Sequence, residues 1–91
     1  MGYTIYYKIN ISKWDNMIRF LDRICLGLGF NLEIFDNEVL VDPKVNDVEK
    51  LLIPRIGFGC VKTFEKEPIT SIYLLILYSL SSFGLVKVWE D

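Results

Sequence analysis

Hydrophobic and polar residues alternate at the start of the chain. In Tyr3-Thr-Ile-Tyr-Tyr-Lys-Ile-Asn10, Tyr3, Ile5, Tyr7 and Ile9 share one face, while Thr4, Tyr6, Lys8 and Asn10 share the other. This period of two predicts a strand with one buried face. The period then lengthens. Trp14, Met17, Ile18, Leu21, Ile24, Cys25 and Leu28 recur three and four residues apart, with Lys13, Asp15, Asn16, Arg19, Asp22 and Arg23 opposite them. Such a stripe predicts an amphipathic helix wide enough to cover a sheet. Ser12 and Asp15 make a Ser-x-x-Asp start, whose hydroxyl can accept an unpaired N–H and whose carboxylate favours the positive helix end. Gly27 and Gly29 supply left-handed conformations to end the helix, and Phe30 closes over its last turn.

Leu32 to Val41 reads as a hairpin turning at Asp36-Asn37, two residues that tolerate positive φ. A two-residue turn pairs Ile34 with Val39 and Leu32 with Val41, which places four apolar side chains on one face. Asp42-Pro43 looks like a cap followed by proline at the first helical position. It predicts a short helix through Val45, Val48 and Leu51-Leu52, stopped by Pro54. A strand from Ile56 to about Phe64, a second helix from Ile69 to about Ser82 opened by Pro68, a stop at Gly84 and a last strand Leu85–Glu90 complete the chain. The order β-α-β(β)-β-α-β predicts an α+β domain of the ferredoxin-like, split βαβ kind. Two long helices would cover one face of a mostly antiparallel sheet, with a hairpin and short helix inserted.

Composition narrows the options. A chain of 91 residues fits a single domain, residues 1–91, and 52% hydrophobic against 24% charged residues implies a packed core. The net charge of −2 comes from ten basic and twelve acidic residues without a like-charged run, which disfavours a nucleic-acid partner. The first residues lack the basic head and cleavage site of a secretory signal, so a cytoplasmic location is expected. Ala, Gln and His are absent while Ile, Leu and Tyr abound, a bias that points to a low-GC genome and a heat-loving source.

The stretch Ile56-Gly-Phe-Gly-Cys-Val-Lys-Thr-Phe64 admits three readings. A phosphate loop requires glycine directly before Lys62-Thr63 and a helix beginning there; Val61 holds that position within a strand pattern. Ordinary core is the second reading, with Phe58, Cys60 and Phe64 inward, Gly57, Gly59, Val61 and Thr63 outward, and Lys62 left awkwardly on the inner side. In the third, Gly57-Phe58-Gly59 and Val61 resemble the third strand of the RNA-recognition motif, K/R-G-F/Y-G/A-F-V-x-F/Y. Element order and length are also similar, and Tyr6 matches that family's other aromatic position. The resemblance implies a single-stranded nucleic-acid binder in which Tyr6 and Phe58 stack bases and Lys8 and Lys62 approach the backbone. Ile56, Cys60 and Thr63 depart from the pattern where a basic residue and two aromatics belong. Strand parity separates the last two readings.

Eighteen residues, 69–86, carry no charge, near the lower limit for a membrane span. Their five Ser and Thr residues, Gly84 and the strand pattern beyond it favour a helix followed by a strand, with no membrane partner. Ile69, Ile72, Tyr73, Ile76, Leu80 and Phe83 would cover the sheet, whereas Leu74, Leu75 and Tyr78 lie off that stripe. A helix apolar on two sides is buried on two sides. Leu74, Leu75 and Tyr78 are therefore the predicted interface for a homodimer or another protein partner.

Chemistry-bearing sets are sparse. Without His, and with Cys25 and Cys60 far apart in sequence, neither a metal site, a cofactor site nor a nucleophile–base pair emerges, and no enzyme is expected. The two thiols read as packed core groups facing one another, with a disulfide as the alternative. The sequence thus favours protein–protein association through residues 69–82, with nucleic-acid binding on the sheet as the other function class.

Overall fold

The computed structural model describes residues 3–90. In chain order the elements are β1 (Thr4–Ile11), α1 (Trp14–Leu28), β2 (Asn31–Ile34), β3 (Glu38–Asp42), β4 (Leu51–Pro54), β5 (Ile56–Lys62), α2 (Ile69–Ser79) and β6 (Gly84–Glu90). A 3-10 turn, Leu80–Ser82, extends α2. The strands form two antiparallel sheets of three, ordered β5-β1-β6 and β2-β3-β4.

Two sheets overturn the expected ferredoxin-like sandwich. That topology needs a helix crossing over between strands of one sheet, but α1 carries the chain from β1 in one sheet to β2 in the other. The difference originates in Leu51–Pro54, expected as the end of a short helix and found as a strand. Lys44 and Asp47 adopt φ of 59° and 67°, which interrupts any helix through this segment. Leu51 and Ile53 pair with Val41 and Val39, and all four are buried. Short apolar runs fit either period, and here the alternation of Leu51 and Ile53 prevails. The hairpin thereby gains a third strand and forms a sheet of its own. Asp42 caps a turn, its carboxylate accepting the Lys44 N–H at 2.9 Å.

Other elements follow the patterns closely. The helix α1 buries Trp14, Met17, Leu21 and Cys25. It ends at Gly29 with φ 75°, and the Phe30 N–H donates to the Cys25 carbonyl at 2.8 Å. Ser12 does not cap it. The Ser12 hydroxyl donates to the Phe83 carbonyl, which also accepts the N–H groups of Ser12 and Lys13. The hairpin has the predicted register, Leu32 opposite Val41 and Ile34 opposite Val39. Its turn uses no positive φ, and Ile34 remains exposed.

Both sheets and both helices meet in one core, to which β1 contributes Ile5, Tyr7, Ile9 and Ile11. Arg55 alone separates β4 from β5, so nearly continuous chain passes from one sheet to the other. That corner is tied on both sides: the Arg55 N–H donates to the Asn37 carbonyl, and its carbonyl accepts the Ile11 N–H. Two buried tyrosines hold the adjoining segment. The Tyr7 hydroxyl donates to the Leu52 carbonyl at 2.5 Å and that of Tyr73 to the Glu49 carbonyl at 2.8 Å. Burial pushes both phenols' pKa values well up, with Cys60 and Glu49 adding to the effect at Tyr7 and Asp42 at Tyr73.

Candidate functional site

The inner side of the β5-β1-β6 sheet is core, and the outer side is open. Pairing arranges the outer residues in rows across β5, β1 and β6: Cys60, Tyr6 and Trp89; then Phe58, Lys8 and Lys87; then Ile56, Asn10 and Leu85. Lys62, opposite Thr4, begins a further row.

This parity decides the question raised by Ile56–Phe64. Val61 and Thr63 are buried, whereas Phe58, Cys60 and Lys62 are exposed, so the core reading of this stretch is overturned. Pairing with β1 sets this parity: Val61 lies opposite the buried Ile5 and Gly59 opposite the buried Tyr7, which leaves the Lys62 ammonium in water rather than buried and unpaired. Glycine on the inner side serves the same arrangement. A Cβ on Gly59 would lie 2.4 Å from the Tyr7 ring, so that ring occupies the space glycine leaves.

The outer side combines aromatic and cationic groups. Tyr6 and Trp89 stack with ring centroids 6.0 Å apart and 15° between planes. The Lys8 ammonium stands 5.2 Å from the centroid of Phe58. Ile56, Phe58 and Leu85 are 69%, 71% and 76% exposed. Among the described residues, Lys8, Lys62 and Lys87 are the charged groups on this face, and no carboxylate belongs to its rows. At its edge, the Glu49 carboxylate accepts the Lys62 backbone N–H at 2.8 Å. A groove of about 570 Å³ runs over Lys8, Asn10, Ile56, Phe58, Leu85 and Lys87.

Of the sequence-derived candidates, Tyr6, Lys8, Phe58 and Lys62 thus come together on one surface. Trp89, Lys87, Leu85 and Ile56 join them unforeseen, and Asn10 joins from the face that alternation gave it. Val86 and Val88 alternate with Leu85, Lys87 and Trp89 in the last strand, and assigning the valines inward would have found those three. The helical candidates separate: Leu75 and Tyr78 are 66% and 54% exposed, while Leu74 packs partly against the core.

The cysteines do not face one another. Cys25 is in the core, Cys60 is on the outer face, and both are free. Burial raises the Cys25 thiol pKa, with the charge of Asp22 adding to it. No described helix is long and apolar enough to cross a membrane, since the uncharged run is divided between α2 and β6. Compared with known proteins, the chain matches no family model, no curated protein and no solved structure.

Proposed function

We propose that this protein is a binding module that takes single-stranded nucleic acid across the outer face of β5-β1-β6. One observation carries the proposal: Tyr6, Phe58 and Trp89 share a solvent-facing surface with Lys8, Lys62 and Lys87, and no described carboxylate interrupts it. Base-sized aromatic surfaces accept any base by stacking, and the ammonium groups neutralise neighbouring phosphates. The net charge of −2 weighs less than its sign implies. At physiological salt the field of a distant charge is screened beyond about 8 Å, so a bound strand senses chiefly the local lysines.

Fluorescence anisotropy with a labelled single strand tests this at low salt. Phe58→Ala and Trp89→Ala should each weaken binding by roughly 5- to 150-fold, the range of about 1–3 kcal/mol per stacked base. With three lysines on phosphates, log K against log salt should slope near −2 (about −0.7 per contact). Undetectable binding by the wild type sinks the proposal, as does affinity untouched by both substitutions.

A second function, self-association through α2, is favoured by the exposure of Leu75 and Tyr78 on the helix side away from the core. Two such side chains form a smaller apolar surface than the sheet offers, which ranks this function second.

A further inference from the structure

We infer that the groove over Asn10 is a pocket for one nucleobase, a purine by preference, whose edge is read by the Asn10 amide; this deepens, and rests on, the single-strand function proposed above. The outer face is chemically uneven. At one end Tyr6 and Trp89 lie ring against ring, an aromatic platform indifferent to base identity. Toward the other end the face opens into the groove of about 570 Å³, within the roughly 300–1,000 Å³ typical of small-ligand pockets.

The walls and floor of this groove differ in kind. Ile56 and Phe58 rise from β5 and Leu85 from β6, on either side of a β1 floor made by Lys8 and Asn10. Neighbouring strands lie about 4.8 Å apart, which sets β5 and β6 about 9.6 Å apart across β1, so the two walls flank a slot in which apolar side chains meet both faces of a ring. Asn10 is exposed on the floor between Ile56 and Leu85. Its amide offers a donor and an acceptor together, the pair that engages the amino group and a ring nitrogen of adenine. Lys8 and Lys87 stand in the next row, two residues along the strands, where a phosphate attached to the seated nucleotide would meet them. The larger ring system of a purine buries more surface between the walls than a pyrimidine does.

Homo-oligonucleotides of about twelve residues, oligo(dA) and oligo(dT), separate this pocket from the platform. The wild type should bind oligo(dA) about tenfold more tightly. Asn10→Ala should bring oligo(dA) down to the oligo(dT) affinity while changing the latter less than about twofold, and Asn10→Ser, which cannot make the paired contact, should behave alike. Equal wild-type affinities, or a preference that survives both substitutions, overturn the pocket and leave the platform standing. Binding to neither oligonucleotide overturns both.

Discussion

A Cβ placed on Gly84 would lie 2.2 Å from the Asn10 carbonyl oxygen and 2.7 Å from the Ile11 Cα, both backbone atoms of the central strand. Neither can yield without parting β6 from β1, which pair at Gly84 and Ile11. Gly84→Ala should therefore destabilise the fold by roughly 2–3 kcal/mol, a fall in Tm of roughly 10–20 °C, measurable by calorimetry. Gly59→Ala meets a side chain instead, the Tyr7 ring, which can tilt at the expense of its hydrogen bond to Leu52. Its effect should be the smaller of the two. A Gly84→Ala protein that melts with the wild type would contradict the close packing of β6 on β1. The partners of Tyr7 are invisible in a linear pattern. Alternation identified Tyr7 as inward, but the glycine opposite it and the Leu52 carbonyl that receives its hydroxyl come from distant parts of the chain.

At the scale of elements, α1, the β2–β3 hairpin and the apolar side of α2 were legible because each depends on local periodicity and turn chemistry. The strand Leu51–Pro54 was not. Its identity depends on β3 lying alongside it, a tertiary contact that overrides a plausible cap at Asp42-Pro43. Parity in β5 was likewise undecided until β1 and β6 fixed which side faced the core, and only then did Phe58 join Tyr6 and Trp89. The exposed side of α2 yields a prediction of its own. If α2 associates with a second copy, Leu75→Lys should convert a dimer to a folded monomer in light scattering coupled to gel filtration. An unchanged mass, whether of monomer or dimer, would remove α2 as the interface. At the start of the same helix, Glu67 accepts the N–H and hydroxyl of Ser71. Those bonds lower the Glu67 carboxyl pKa, so their small contribution is present above the ordinary glutamate range and fades as pH falls through the lowered value.

Across the whole molecule, two sheets share one core, and Tyr7 and Tyr73 connect it to the chain entering and forming β4. Both phenols titrate above their ordinary value, burial being the main cause. Between the unfolded value near 10 and the raised folded values, the folded protein holds more protons than the unfolded one. Stability should therefore be level with respect to these groups below about pH 10 and fall as pH rises beyond it. Tyr7→Phe should cost about 1 kcal/mol at neutral pH through the lost hydrogen bond, yet weaken the alkaline decline. Denaturant unfolding at a series of pH values checks both effects, and a wild-type decline no steeper than that of Tyr7→Phe would contradict the assignment.

This architecture leaves the outer face of β5-β1-β6 uncovered, and the proposed occupant is single-stranded nucleic acid. Amide NMR spectra of the protein titrated with a short single strand at low salt are the test of that occupancy. The predicted shifts follow β1, β5 and β6 around Tyr6, Lys8, Phe58 and Trp89, leaving Leu75 and Tyr78 in place. Shifts centred on α2, or a spectrum unmoved by excess oligonucleotide, would contradict it.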